Sequence, residues 1–221
     1  MTASPSGERS HLSTTAGVPI RPLTLQDAAS VGSMLARAFA EDPTSAWLFP
    51  RETDRARALQ RWYVLNAKIL IATGEAWGTA DLSSAALWLP MGLPSRGSRR
   101  PFGRVLAWNL RTVLMLRARV LSAAATTVRM QRLHPKGPGW YLAILGTEPG
   151  RQGEGLASRA MAPALSRCDR LGLPAYLDTA TERDVSFYRA RGFVVVGEVD
   201  LRPAPHFWVM TRPPSIRAGP T

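Results

Sequence analysis

The chain has 221 residues, 28 lysines and arginines against 16 acids, and a formal net charge of +12, a length that accommodates one domain, or one domain with an insert, around a large core. Its single cysteine, Cys168, excludes an intrachain disulfide, and the first residues lack the apolar run of a secretory signal. The most apolar stretch, Val105 to Leu121, is broken by Arg111, Arg117 and Arg119, so we expect no bilayer span and a soluble, cytoplasmic protein.

Residues 1–17 read as a disordered tail and residues 213–221 as a flexible one. A short strand is expected near Ile20. Thr24 then offers an N-cap with Asp27 three residues on, and Ala28, Val31, Leu35, Ala38 and Phe39 keep helical spacing up to Asp42-Pro43. A second helix is expected from Thr53 to Ala72, with Leu59, Trp62, Tyr63, Leu65 and Ile69 inward. "GEAWGTA" and "SSAALWLP" read as paired strands around a turn at Asp81. Pro90 to Pro101 reads as a loop, and Phe102 to Gln131 as mainly helical.

Trp140 to Thr147 reads as a strand, about Gly155 to Leu171 as a helix stopped by Gly172 and Pro174, and "AYLDT" as a strand. "TERDVSFYRARG" reads as a short helix capped by Thr181 and stopped by Gly192. "FVVVGEVDL" and "HFWVMTR" read as neighbouring antiparallel strands. Pro163 falls inside the long helix, where it should kink or strain it. Strands interrupted irregularly by helices imply an α/β fold with a mixed sheet and helices on both faces.

The charge is uneven. No acid occurs between Asp81 and Glu148, a stretch that holds Arg96, Arg99, Arg100, Arg104, Arg111, Arg117, Arg119, Arg129, Arg132 and Lys136. Either this is a surface that draws in a polyanion, or it is a solvated helical insert in an arginine-rich chain. No aromatic-interleaved nucleic-acid module accompanies it.

The most informative stretch is "AILGTEPGRQGEGLASRAM", Ala143 to Met161, an apolar strand followed by a glycine-rich turn and a helix. Such a turn suits phosphate, because glycines let a ligand approach the backbone and the first N–H groups of a helix lack partners. A P-loop would need Lys and Ser/Thr where Leu156 and Ala157 stand. A dinucleotide fingerprint would need a third glycine at Ser158 and more chain after it than remains. The pattern Gln152-Gly153-Glu154-Gly155-Leu156-Ala157 instead matches Q/R-x-x-G-x-G/A, the acetyl-CoA motif of the GNAT acetyltransferases.

The chain resembles that superfamily from Leu133 to Arg212, and is most similar to the puromycin N-acetyltransferase branch in "HPKGPGWYLAILGTEPGRQGEGLASRAMAPAL", "LGLPAYLDT", "SFYRARGF" and "VMTRPP". "AFAEDP" near the N-terminus also matches. The resemblance implies a GNAT domain over residues 18–212, with a twisted sheet of about six to seven strands. It also implies a V-shaped splay between the fourth and fifth strands, a helical insert at about 95–133 and an acetyl-CoA-binding core at about 140–192. The implied activity is acetyl transfer from acetyl-CoA to a primary amine by direct attack, with no metal, a small-molecule acceptor and a monomeric or homodimeric protein. Nucleic acid and membrane are not expected as partners under this reading.

The same resemblance implies the site. The backbone N–H of Leu145 should face the thioester oxygen, with Gly146 beside it and Thr147 pairing with the pantetheine. Gln152, Gly153, Glu154, Gly155, Leu156, Ala157 and Ser158 should hold the pyrophosphate. Tyr188 occupies the position of a general-acid tyrosine. Asp184 stands where the superfamily usually carries Asn against the pantetheine, or serves only as a helix-capping acid.

An alkylamine is protonated at neutral pH and needs a base. Asp178, at the end of "AYLDT", is the first candidate, directly or through water. Glu41 and Asp42 are candidates to hold the substrate ammonium, or are plain loop acids. Trp47, Phe49, Trp62, Tyr63 and Trp88 line a pocket for an aromatic acceptor or belong to the core. His11, His134 and His206 form neither a metal spacing nor a triad with Cys168, which we expect to be buried and inert. Two other readings stay open: a CoA-binding module docking through its basic insert on a protein, membrane or nucleic acid, and a protein N-acetyltransferase.

Overall fold

The computed structural model describes residues 17–92, 112, 115–116 and 119–215. The loop from residue 93 and much of the basic insert therefore lie outside the described residues, as do residues 1–16 and 216–221. In chain order the elements are β1 (Ile20–Pro22), α1 (Ala28–Ala38), α2 (Pro43–Leu48), α3 (Glu52–Thr73), β2 (Glu75–Thr79) and β3 (Ser84–Met91). There follow α4 (Val120–Leu133), β4 (Gly139–Thr147), α5 (Leu156–Leu171), β5 (Ala175–Thr179), α6 (Glu182–Arg189), β6 (Val194–Val199) and β7 (Phe207–Arg212). No helix among the described residues is long and apolar enough to cross a membrane.

The strands form one seven-stranded sheet in the order β1-β2-β3-β4-β5-β7-β6. Every pairing is antiparallel except β4 with β5, because α5 forms the crossover between those two strands. Alternation along the strands divides the core. Ala85 and Leu87 face α1 and α3, packing with Val31, Leu35, Leu59 and Ala67. Ala86, Trp88, Leu142 and Leu177 face α5 and α6, packing with Ala160, Met161, Ala164 and Tyr188. Helices α1 and α3 sit tightly because Gly32 lies against Val64, where a Cβ would come within 2.5 Å of the Val64 Cα.

Most element assignments follow the sequence reading, and two local features depart from it. Thr24 does not cap α1. The N-cap position is Asp27, whose carboxylate accepts from the Thr24 N–H (2.8 Å) and hydroxyl (3.0 Å) and is clamped by Arg21 at 2.7 and 2.9 Å. Asp42-Pro43, read as a helix stop, begins the helix α2. Asp42 accepts from the N–H groups of Thr44 and Ser45, and Pro43 sits in the first turn, where its missing N–H costs nothing. Helix α5 spans Leu156–Leu171 with Pro163 inside it, as expected, and buries Ala160, Met161, Ala164 and Cys168 on its inner face.

Candidate active site

The ladder between β4 and β5 covers only Trp140–Leu142 against Ala175–Leu177. Beyond it the strands part, β4 staying with β3 up to Thr147 and β5 staying with β7 up to Thr179. The cause is visible in the β3–β4 register, where Leu87 opposes Ile144 and Trp88 opposes Leu142, leaving Ala143 as an extra residue. A bulge of this kind bends its strand, and this one lies one residue past the last paired position. The open edge of β4 keeps its hydrogen-bonding groups. The Glu148 N–H donates to Ser83 O, toward β3, at 2.8 Å. Alternation therefore turns the N–H groups of Thr147 and Leu145 the other way, into the splay. Thr147 is further fixed by its hydroxyl, 2.9 Å from that of Ser84.

At the top of β4 the chain makes a short 3-10 turn, Pro149–Arg151, and enters the glycine turn. Gly153 (φ 86°) and Gly155 (φ 75°) both have left-handed backbone, and a Cβ on either would meet nothing within 4 Å. Conformation, not crowding by the protein, calls for glycine there. Gly155 is the N-cap of α5 and has no side chain to cap it, so the first-turn N–H groups, beside exposed Gln152 and Glu154 and half-buried Ala157 and Ser158, face outward. Leu156 is buried and anchors this end of α5. Arg151 ties the turn to the β2–β3 hairpin through Asp81 (2.5 Å) and Glu154 (2.7 Å). Burial opposes ionisation of Asp81, but hydrogen bonds from Ser83, Thr79 and Arg151 outweigh it and hold the carboxyl well below its usual range.

Helix α6 brings Tyr188 to the α5 side of the splay, 9% exposed and edge-on to Phe187 and Phe193 with ring centroids 5.2 and 5.7 Å away. Burial, reinforced by the charge of Asp184, raises its hydroxyl above the ordinary tyrosine value. Thr181 caps α6 as expected, accepting from the Asp184 N–H. The Asp184 carboxylate does not return that bond but accepts from the Thr179 hydroxyl at 3.3 Å, which holds it at the tip of β5.

Arg191 went unnoticed in the sequence because it reads as one more arginine. It donates to the Ser158 hydroxyl on the first turn of α5 and to the Phe187 carbonyl, and its guanidinium lies 3.5 Å over the Phe187 ring. Burial lowers its pKa, and Tyr188 works against that shift.

On the opposite face of the sheet, Asp178 is the first β5 residue beyond the pairing with β4. Its side chain is 6% exposed. It accepts from His134 Nε2 at 2.9 and 3.1 Å and from the Tyr141 hydroxyl at 3.0 Å. Glu41 is exposed. Burial raises the Asp42 carboxyl, its hydrogen bonds from Thr44 and Ser45 counter the shift, and Asp184 adds to it. A carboxyl raised in the folded state adds stability only below its unfolded value and loses that contribution as pH climbs through the folded value. Asn caps as well as Asp. D42N should therefore be at least as stable as wild type at pH 7, with the difference vanishing near pH 3, whereas D42A should lose ~1 kcal/mol at pH 7; thermal melts at the two pH values check this.

The five aromatics separate. Trp88 is fully buried on the α5 side, on the face of the sheet opposite Asp178. Trp47 packs against Phe207, Phe49 against Trp62, and Tyr63 stacks on Phe39. Cys168 is buried, and burial pushes its thiol up to about 12, which leaves it unreactive at neutral pH. Two surface cavities, about 460 and 670 Å³, are lined by neither the glycine turn nor Asp178 nor Tyr188.

Residues 93–193 match the family model described as Acetyltransferase (GNAT) family. The fold is likewise that of solved acetyltransferases. A Corynebacterium glutamicum protein described as histone acetyltransferase HPA2 and related acetyltransferase matches with TM-score 0.63 and 20% identity, over 91% of this chain and 98% of that one. Arylalkylamine N-acetyltransferase 2 of Aedes aegypti matches at 0.57 and 10% identity, covering 89% and 98%. The PaiA N-acetyltransferase of Thermoplasma acidophilum, solved in complex with coenzyme A, matches at 0.53 and 12%, covering 89% and 99%. Residues 93–193 thus match the GNAT acetyltransferase family model, and the fold of the chain is that of solved acetyltransferases.

Proposed function

We propose that the protein is an acetyl-CoA-dependent N-acetyltransferase acting on a primary amine of a small molecule, with an antibiotic-like, puromycin-type amine as one acceptor to test. The observation that carries this reading is the open β4 edge beyond the Ala143 bulge, meeting an uncapped α5 N-terminus built on two left-handed glycines. Acetyl-CoA fits such a pair of elements: its extended pantetheine arm can add to the strand edge, and its pyrophosphate can satisfy the helix N–H groups and the positive end of the helix dipole. When bound, it supplies an acetyl thioester.

The protein's own groups then divide the work. The Leu145 N–H is the donor aimed at the developing oxyanion, a term of ~3 kcal/mol in comparable sites, and Gly146 and Thr147 continue the strand that receives the arm. The segment from Gln152 to Ser158 receives the pyrophosphate, and Arg191, held by Ser158, adds positive charge beside it. Asp184, fixed by Thr179, borders the arm. Tyr188, kept protonated by burial, gives its proton to the leaving thiolate. Glu41, Asp42 and Trp47 border the acceptor, the acids favouring a cationic amine, and the Asp178 side of the splay takes up the amine's proton.

R191Q should weaken acetyl-CoA binding roughly tenfold, as removal of one charge-assisted contact would, measured by calorimetry. An amine panel that includes puromycin, assayed by thiol release from acetyl-CoA, tests the whole reading. Acetyl-CoA binding without turnover of any amine, together with salt-sensitive association with anionic vesicles or nucleic acid, would replace it by that of a docking module.

A further inference from the structure

The acceptor side of the splay carries a histidine that its sequence position does not connect to the chemistry. His134 follows the last residue of α4, while Asp178 is 44 residues away on β5. The two meet at 2.9 Å with side chains only 12% and 6% exposed. The His134, Tyr141 and Tyr176 rings pack on one another, with centroids 4.9 to 5.5 Å apart, and fix the imidazole plane. Both Asp178 oxygens are committed, one to His134 and the other shared between His134 and the Tyr141 hydroxyl. Burial and the Asp178 charge raise the Tyr141 hydroxyl, so it stays a donor. A carboxylate bonded in this way has little left to offer an incoming ammonium. An imidazole whose Nε2–H donates to that carboxylate, by contrast, has its lone pair on Nδ1, and Nδ1 has no hydrogen-bond partner among the described residues.

We infer that His134 Nδ1 is the group that accepts the proton of the substrate amine, and that Asp178 and Tyr141 are positioning residues that hold its tautomer and orientation. This rests on the acetyltransferase reading above. The ammonium gives one proton to Nδ1, directly or through a water. The freed nitrogen lone pair forms the C–N bond to the thioester carbon and the C–S bond breaks. The sulfur takes the Tyr188 proton, and the second nitrogen proton restores Tyr188. One net proton leaves through His134 to solvent, and no redox partner is needed. Among the described residues, the titratable groups in contact with His134 are Asp178 and Tyr176 from β5 and Tyr141 from β4. From β6, Glu198 is paired with His206.

The test compares two acceptors in wild type and in H134Q, a variant that can still donate to Asp178 but cannot take a proton. One is a phenylalkylamine with an ammonium pKa of about 10. The other is an aromatic amine already neutral at pH 7. H134Q should lose at least ~100-fold in kcat/KM with the alkylamine, within the range for general-base removal, and less than ~5-fold with the neutral amine. In H134Q the alkylamine rate should rise about tenfold per pH unit below pH ~10, as the free-amine fraction does, so the loss relative to wild type should shrink with pH. Acetyl-CoA affinity should stay within ~2-fold, which shows that the variant folds, and added imidazole should restore part of the alkylamine activity in H134A. Equal losses with both amines, or an alkylamine loss that does not shrink as pH rises, overturn this assignment alone. A wild-type protein that releases no thiol with either amine overturns the acetyltransferase reading and this assignment with it.

Discussion

Replacing Gly155 with valine is expected to abolish measurable acetyl-CoA binding, a loss of at least ~100-fold in affinity. The backbone there has φ 75°, a conformation that costs an L-residue ~1–2 kcal/mol, and a β-branched side chain would project into the space where the helix N–H groups face out. The strain alone does not predict the binding loss, and the molecule contains its own control. Gly172, at the other end of α5, also has φ 63° and an equally open Cβ direction. G172V should therefore show a similar fall in melting temperature with acetyl-CoA binding intact. Calorimetric titration of both variants decides the matter, and normal binding by G155V would put the ligand somewhere other than this turn.

The second large effect is expected from Y188F. Phenylalanine keeps the edge contacts with Phe187 and Phe193, so the variant should fold and bind acetyl-CoA within ~2-fold of wild type. Loss of the hydroxyl removes the proton donor for the thiolate, and kcat should fall by 10²- to 10⁴-fold, the usual span for a general acid, roughly speaking. Burial and the charge of Asp184 raise the Tyr188 hydroxyl. It therefore remains protonated across the neutral and mildly alkaline range, and the wild-type rate should show no fall from tyrosine ionisation below pH ~10. Unchanged kcat in Y188F would mean that the thiolate leaves without help from this side chain.

D42N separates folding from recognition at a third position. Its cap should survive, while KM for a cationic amine should rise if the carboxylate attracts the ammonium. An unchanged KM would leave Asp42 as the cap of α2 alone.

Local sequence chemistry determined the element order apart from α2. Apolar spacing marked α1 and α3, alternation and turn residues marked β2, β3, β6 and β7, and Thr181 and Gly172 marked helix ends that the structure reproduces. The glycine turn was legible for the same reason, since Gly153 and Gly155 adopt backbone angles that the residue type itself favours. Pro43 misled, because proline both ends helices and begins them, and only the Asp42 carboxylate capping Thr44 and Ser45 shows which applies.

Tertiary structure alone decided where β4 leaves β5, because the bulge at Ala143 is a matter of register against β3. It also sent Trp88 into the α5-side core and Trp47 onto Phe207. The Arg191–Ser158 and His134–Asp178 contacts join residues 33 and 44 positions apart. No local pattern encodes such pairs, since they exist only once α5 and α6 flank one face of the sheet and the end of α4 is brought against the other. The proposed cofactor-binding half of the candidate site was therefore readable from one short stretch of chain, whereas the proposed amine-activating half had to be assembled by the fold.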